Sequence, residues 1–324
     1  MNTILVFASL IGCCLAVSVS VLDWEAYKSL YGKNYEDPEE DAMRKMTYEM
    51  NLEKFEAHNA RHQQGLESYT MGVNHFSDWS DSEQQNGFNQ YDSSPEGVTY
   101  VFHEPSGKGL PESVDWREEN VVTSVKQQGE CGSCWAFAST AAVESHYAIE
   151  QGLLVDFSEQ QLVDCLQPEK YGCKYGYVNE SFVYMTNHRL LTFAEYPYKD
   201  QVGECEYDDD FRGLKISGYK RIPKGDEEAL QDAVAHVGPV AVSIDYTPLK
   251  PYTQGIYVPS KRNTDHGDTH IVLIVGYDTN EDGEEYYIAK NSWGPKWGLQ
   301  GYFHLKRNAE YNTGVADYAF YPVL

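Results

Sequence analysis

The sequence predicts an α+β fold in which a helical half is followed by a β half. Residues 134–144 follow a glycine-containing loop and are rich in alanine and other helix-forming residues, and residues 158–164 have the pattern of a short helix capped by Ser158. The second half instead contains strand-like runs at residues 239–245, 270–277 and 285–290. Because an acidic turn joins the last two runs, we expect them to form an antiparallel hairpin.

Length and charge narrow the classes of function. The chain has 324 residues and a hydrophobic content of 41%, which suits one large or two smaller globular domains. Its formal net charge is −25, and no basic run interrupts the acidic composition. Nucleic acid and anionic membrane surfaces are therefore poor partners, and we expect neither.

The first residues resemble a secretory signal. Residues 1–16 are mostly apolar and are followed by the small residues of positions 17–20, although no Lys or Arg precedes the apolar run. A membrane anchor is the alternative, but an apolar run of about 16 residues is shorter than the roughly 20 needed to span a bilayer. We therefore expect a cleaved signal peptide at residues 1–18 and passage through the secretory pathway.

Residues 23–64 have a helical, charge-rich pattern. Six of them recur at steps of three or four and so share one stripe of a long helix: Glu40, Arg44, Tyr48, Asn51, Phe55 and Asn59. The stripe predicts either a docking face or an ordinary amphipathic helix with a solvated edge. Alternation over residues 69–79 then predicts a short strand, and residues 84–109 are polar, turn-rich and linker-like. A domain boundary is expected near residues 105–110.

Cys134 lies where the glycine-containing loop meets the first predicted helix of the helical half. A thiol in the first turn of a helix faces unpaired backbone N–H groups and the positive end of the helix dipole, and both favour the thiolate. A disulfide cysteine, or a metal or redox pair formed with Cys131, are the alternatives. The chain has no second Cys-x-x-Cys pair, which disfavours zinc. We therefore expect no metal site.

The cysteine count supports one free thiol. Of the seven cysteines, Cys13 and Cys14 lie in the predicted signal peptide, so five remain in the exported chain. If Cys134 is the free thiol, four cysteines remain for two disulfides, and sequence alone allows three pairings. Those four are Cys131, Cys165, Cys173 and Cys205.

Two polar residues of the β half are candidate partners of Cys134. His270 begins a strand-like run and Asn291 follows the next one, 136 and 157 residues after Cys134. A histidine on a buried strand is by itself more often a satisfied core residue than a catalytic one. Together with a cysteine at a helix start, however, a histidine and an asparagine predict nucleophilic catalysis.

The ordered motifs of the chain resemble the papain family of cysteine peptidases, and most of all its cathepsin L-like branch. The active-site signature is matched by Gln128-Gly129 and by Cys131-Gly132-Ser133-Cys134-Trp135-Ala136-Phe137. Further matches are residues 111–117 at the mature start, residues 158–165, the surroundings of His270, and residues 291–294 with 297–298. The helical stripe resembles the family's ERFNIN pattern, and Gly72, Asn74, Phe76 and Asp78 match the second motif of its inhibitory propeptide.

The resemblance implies a papain-like two-lobed fold, with a helical lobe and an antiparallel β-barrel-like lobe, preceded by a helical inhibitory propeptide. It implies a signal peptide at 1–18, a propeptide at 19–109, called the prosegment below, and a peptidase domain at 110–324, called the catalytic body below. The expected function is that of a cysteine endopeptidase made as a zymogen. We expect it to be secreted or lysosomal and active at acidic pH after propeptide removal.

By resemblance, Cys134 attacks the peptide carbonyl as a thiolate, and His270 stabilises that thiolate and protonates the leaving amine. Asn291 would orient the imidazole under the shielding ring of Trp293, and Gln128 would donate to the oxyanion. The expected disulfides are Cys131–Cys173 and Cys165–Cys205. No cofactor is expected.

The resemblance also assigns substrate-binding residues. Gly176 would hydrogen-bond the substrate backbone, Trp293 lies beside the site, and the pocket for the second residue before the scissile bond is lined by Tyr177, Val178, Ser243, Ile271 and Tyr318. Because three of these are bulky, we expect a shallow pocket that prefers Val, Pro or Ala over Phe. Asn179-Glu180-Ser181 is a glycosylation acceptor sequence at this wall, and its use is left open.

The expected partners are protein or peptide substrates, the chain's own prosegment and cystatin-like inhibitors, and the enzyme is expected to be a monomer. The alternative from another class is a non-catalytic relative that serves in binding or storage. Such a relative usually has a replaced nucleophile or histidine, and neither residue is replaced here.

Overall fold

The computed structural model describes residues 22–84, 99–258 and 269–324, apart from residues 168, 170, 209, 247 and 311–312. The predicted signal peptide lies outside the described residues, as does much of the linker-like stretch. Among the described residues, no helix is both long and apolar enough to cross a membrane.

The described part of the chain contains seven helices. They are α1 (Trp24–Tyr31), α2 (Pro38–His62), α3 (Asp81–Gln84), α4 (Cys134–Gln151), α5 (Glu159–Cys165), α6 (Val178–Asn187) and α7 (Glu227–His236). The central helix is α4, whose first thirteen residues are all buried because it packs against α5 and α6 on one side and the sheet on another. An alanine-rich sequence suits a helix that has no solvated face.

The helical pattern of residues 23–64 forms two helices rather than one. Gly32 ends α1 in the left-handed conformation, at φ 66°, and Asp37 caps the start of α2, where Pro38 occupies the first turn. The stripe on α2 is a docking face within the prosegment. Tyr48 and Phe55 are buried, and Asn51 donates hydrogen bonds to the carbonyls of Ser77 and Trp79.

Nine strands form one sheet in the described residues. They are β1 (Tyr69–Met71), β2 (Val114–Asp115), β3 (Gly218–Arg221), β4 (Val240–Asp245), β5 (Tyr252–Tyr257), β6 (Thr269–Thr279), β7 (Glu285–Lys290), β8 (Tyr302–Lys306) and β9 (Ala319–Val323). The order is β1-β5-β8-β7-β6-β4-β9-β3, with β2 also paired to β6. All pairs are antiparallel except β5 with β8, and the predicted hairpin is confirmed as β6–β7.

The strand predicted over residues 69–79 is confirmed only for its first three residues. β1 of the prosegment pairs with β5 of the catalytic body, so the prosegment adds a strand to the sheet. The chain then turns, because the Asn74 side chain accepts a hydrogen bond from the backbone N–H of Phe76 and donates one to the carbonyl of Lys250.

Part of the linker-like stretch also binds the catalytic body. Phe102 forms a parallel bridge with Arg221, and His103 is buried against Asp232 and Tyr321. Residues 104–113 are exposed. The sequence did not indicate this docking because turn-rich composition reports local flexibility and carries no information on tertiary contacts.

Candidate active site

The thiol of Cys134 lies at the first residue of α4. Ser133 is the N-cap, but its hydroxyl makes no capping hydrogen bond and instead lies 2.7 Å from the hydroxyl of Tyr198. Backbone N–H groups of Cys134, Trp135 and Ile271 point at the sulfur. The last of these belongs to the residue after His270, so β6 brings the histidine next to the start of α4.

His270 and Asn291 are held together by the β6–β7 hairpin. His270 Nε2 lies 2.8 Å from Asn291 Oδ1, which leaves the other imidazole nitrogen for the thiol. The indole of Trp293 stacks on the imidazole with ring centroids 4.6 Å apart. Asn291 Oδ1 also accepts from the backbone N–H of Ser292, which fixes the amide that orients the imidazole.

Gln128 is fixed from both ends of its amide. Its Oε1 accepts a hydrogen bond of 2.6 Å from the hydroxyl of Ser292, and its Nε2 donates one of 2.9 Å to the carbonyl of Cys131. A primary amide carries two N–H groups, so one remains to donate to a developing oxyanion. The tie to Ser292 connects the oxyanion donor to the loop that carries Asn291.

The site is buried, and burial shifts the pKa values of its thiol and its imidazole. Cys134 is 2% exposed and His270 4% exposed. Burial raises the pKa of the Cys134 thiol to about 11, outweighing the three backbone N–H groups that lower it. Burial likewise lowers the pKa of His270 to about 4. The closed cleft therefore favours a neutral thiol and a neutral imidazole, whereas the sequence predicted the thiolate for the working enzyme.

The residues assigned to the substrate pocket lie close together. Ser243 pairs with Ile271 across β4 and β6, and its backbone N–H donates to the carbonyl of Tyr318. Val178 begins α6 and is fully buried. Tyr177 is half-buried and packs edge-on against Tyr171.

Two features of this wall have direct physical causes. A Cβ on Gly176 would lie 2.2 Å from the indole of Trp135, so glycine is required there by packing as well as by any contact with substrate. Asn179 is buried, and its side-chain oxygen accepts a hydrogen bond of 2.6 Å from the hydroxyl of Tyr318. This burial disfavours glycosylation of Asn179.

The structure contains the disulfides Cys131–Cys173 and Cys165–Cys205 and leaves Cys134 as a free thiol. The first bridge ties the loop before α4 to the segment that carries Gly176. Among the described residues, no group of three or more His, Cys, Asp or Glu is arranged to hold a metal ion.

Sequence reasoning missed one charged residue at the site. Lys250, in the β4–β5 connection, lines the same cavity as His270 and Trp293. No local motif marks it, and only the tertiary structure brings it to the imidazole. It lies two residues before β5, a strand that the sequence analysis did not predict.

Two family models match the chain. The model described as "Papain family cysteine protease" matches residues 110–323, and the "Cathepsin propeptide inhibitor domain (I29)" matches residues 24–84. The first covers well over half of the chain. The sequence-based identification of a peptidase with an inhibitory prosegment is confirmed.

Similar proteins and structures agree with these matches. Cathepsin S of Bos taurus is 41% identical over 92% of this chain and 91% of its own length, and a cathepsin L-like peptidase of Aedes aegypti is 39% identical over the full length of both. The solved structure of digestive procathepsin L2 proteinase from Tenebrio molitor larval midgut covers 93% of this chain and 98% of its own, with 40% identity and a TM-score of 0.84. The predicted papain-like fold is confirmed, and the chain belongs to the papain family of cysteine peptidases, as a zymogen that carries a cathepsin-type propeptide.

Proposed function

We propose that the chain is the zymogen of an endopeptidase that works through Cys134, His270, Asn291 and Gln128. The observation that carries the proposal is the hydrogen bond from His270 to Asn291 beneath Trp293, beside a free thiol at the start of α4. We propose mature boundaries near residues 109–110, passage through the secretory pathway, and a monomeric enzyme that cystatin-like inhibitors bind.

The reaction follows from these positions. In the opened cleft, the Cys134 thiolate attacks the substrate carbonyl carbon, and the negative charge on its oxygen is stabilised by Gln128 and by the backbone N–H of Cys134. The His270 imidazolium donates its proton to the leaving amine, the C–N bond breaks, and a thioester remains on Cys134. Neutral His270 then takes a proton from water, and the resulting hydroxide attacks the thioester. The C–S bond breaks, the carboxylic acid is released, and the Cys134 thiolate and the His270 imidazolium are restored.

A set of variants of the processed enzyme tests these roles. We expect Cys134→Ala to lower kcat/KM by about 10⁴-fold or more, Gln128→Ala by about 10²- to 10³-fold, and Asn291→Ala by about 10- to 100-fold. Glu150→Gln, at the exposed end of α4, is the matched control and should retain activity. One equivalent of a thiol-directed epoxide should label the wild-type protein. Labelling of the Cys134→Ala variant, or its retention of activity, would rule the proposal out.

We also propose that the pocket for the second residue before the scissile bond accepts Val, Pro or Ala in preference to Phe. The support is the close packing of Ser243, Ile271 and Tyr318, the last two of which are bulky and buried. In a peptide library, Ile271→Ala should shift the preference toward Phe, because a lost methylene changes discrimination by about 1–3 kcal/mol. A tenfold wild-type preference for Phe or Leu would contradict this assignment.

Activity is proposed to require removal of the prosegment in acid. Full activity of the unprocessed chain at neutral pH would refute latency itself. A substrate profile of the processed enzyme between pH 4 and 8 measures the working range.

A further inference from the structure

A cavity of about 440 Å³ lies between the prosegment and the catalytic body. The prosegment contributes Phe76 and Trp79 to its walls, and the catalytic body contributes Tyr246, Lys250, His270 and Trp293. When the prosegment leaves, the walls that belong to the catalytic body remain. The cavity then becomes an open subsite beside the imidazole.

Lys250 is the buried cation of this cavity, at 6% exposure. Its ammonium donates a hydrogen bond of 3.1 Å to the carbonyl of Glu83 and lies 4.9 Å from the ring centre of Trp79 and 5.6 Å from that of Phe76. All three of these partners belong to the prosegment. A fourth neighbour, the ring of Tyr246 at 5.4 Å, belongs to the catalytic body and stays.

The backbone of Lys250 is anchored independently of the prosegment. Its carbonyl accepts a hydrogen bond of 2.8 Å from the indole N–H of Trp297. Trp297 is fully buried and packs edge-on against Trp293, the ring that stacks on His270. The backbone of Lys250 is therefore held in place relative to the imidazole in the processed enzyme as well.

The position of Lys250 corresponds to the leaving-group side of a bound peptide. His270 gives its proton to the leaving amine, so the chain that follows the scissile bond passes on the imidazole side of Cys134. Tyr246, 5.7 Å from His270 between ring centres, and Trp293 form this side. The charge of Lys250 reaches the imidazole, where it adds to the effect of burial in lowering the pKa of His270.

We propose that Lys250 makes the enzyme prefer substrates with an acidic side chain immediately after the scissile bond. A substrate carboxylate replaces the Glu83 carbonyl as the acceptor of the ammonium. Glu130 lines the same cavity with the opposite charge, but its side chain is exposed, so water and salt weaken its field. The inference rests on the catalytic roles proposed above for Cys134 and His270.

The test uses processed enzyme and quenched peptides that differ only in the first residue after the scissile bond. We expect the wild type to cleave the Glu peptide at least tenfold faster, in kcat/KM, than the Gln or Lys peptide. Lys250→Gln should bring the Glu-to-Gln ratio below about two, and Lys250→Glu should favour the Lys peptide. Lys296→Gln, an exposed lysine with the same change of charge, should leave the wild-type ratio unchanged.

A second substrate distinguishes failure of the proposed catalytic roles from failure of the proposed role of Lys250. It is an amide with a fluorogenic leaving group and no residue after the scissile bond. The wild type and Lys296→Gln should hydrolyse it at rates within about twofold of each other. No hydrolysis of this amide by the wild type would refute the proposed catalytic roles. Hydrolysis of the amide with a wild-type Glu-to-Gln ratio near one, or a ratio unchanged in Lys250→Gln, would overturn the role of Lys250 and leave it as a contact for the prosegment.

Discussion

The prosegment contacts the catalytic body at two described places. We call them the front contact, formed by residues 68–83, and the rear contact, formed by residues 100–106. At the front, β1 pairs with β5, and Phe76 packs edge-on against Trp293 at 5.1 Å between ring centres. At the rear, hydrogen bonds converge on the carboxylate of Asp232. The front contact covers a ring of the catalytic site, whereas the rear contact holds α7 and β9, which carry none of the proposed catalytic residues.

The two contacts also differ in their response to acid. Burial works to raise the pKa of Asp232, but hydrogen bonds from the hydroxyl and backbone N–H of Ser106 and from His103 hold it below its ordinary value. A carboxylate with a depressed pKa stabilises the docked state at higher pH and loses that effect only as pH falls through the depressed value. The rear contact should therefore survive mild acid.

The front contact contains a histidine that responds in the opposite way. His75 Nε2 is buried and has no hydrogen-bond partner among the described residues. Burial, reinforced by the charges of Lys33 and Lys250 and opposed by that of Asp78, lowers the pKa of His75 to about 4. In a released state in which water reaches the imidazole, the pKa of His75 returns to its ordinary value near 6.5. The released state thus binds more protons between about pH 6.5 and 4, and acid favours release.

The largest expected effect comes from breaking the front contact with Phe76→Ala. Removal of a buried phenylalanine ring typically costs about 3–5 kcal/mol of stability. Here we expect it to destabilise the docked state of the prosegment relative to the released state. We expect Cys134 in the intact zymogen at pH 7.5 to react with a small thiol reagent about 10²- to 10³-fold faster than in the wild type. Mass spectrometry measures the labelling rate and shows that the chain is still unprocessed.

Met46→Ala is the matched control for Phe76→Ala. Met46 is 57% exposed on α2 of the same prosegment. Its replacement should leave the labelling rate within about twofold of the wild type. An equal rate in all three proteins would mean that the front contact does not restrict access to the thiol.

The second largest effect is expected from His75→Gln. This variant removes the titrating group of the front contact and so tests whether that group causes the acid response. Each pH unit below 6.5 should increase opening of the wild type relative to the variant by up to about tenfold, and so by up to about 10²-fold at pH 4.5. The ratio of the two labelling rates cancels the intrinsic pH dependence of the reagent. If the labelling rates of the wild type and His75→Gln changed in parallel between pH 7.5 and 4.5, another group would control release.

The sequence patterns predicted the two lobes, the β6–β7 hairpin and the residues that meet at the site. These patterns were the hydrophobic periodicity, the number of cysteines and the order of the motifs. They did not predict how the prosegment binds. His103 is a single histidine in a turn-rich stretch, and its partner Asp232 lies 129 residues away on α7. Lys250 and His75 have the same character, since their roles arise from burial and from neighbours that are distant in sequence. Local patterns specify elements, whereas long-range polar contacts depend on the assembled fold.

The smallest expected effect on access to the thiol comes from breaking the rear contact with His103→Ala. His103 is buried. Its Nε2 donates a hydrogen bond of 2.9 Å to Asp232, and its Nδ1 lies 2.9 Å from the hydroxyl of Tyr321. The variant therefore leaves these buried polar groups without this partner. A cost of about 1.5–3 kcal/mol should speed hydrogen exchange of the backbone amides of residues 103 and 221, which hydrogen-bond across this contact, by about 10- to 100-fold.

Labelling of Cys134 in the His103→Ala zymogen should change by less than about threefold, because the front contact still covers the site. Glu104→Gln, at the exposed neighbouring residue, is the control and should leave exchange unchanged. In the wild type, protection of the backbone amides of residues 103 and 221 should persist at pH 4.5, where the front contact has already weakened. Labelling that rises in His103→Ala as much as in Phe76→Ala would mean that the two contacts open as one cooperative unit, and the chemical difference between them would then have no consequence for latency.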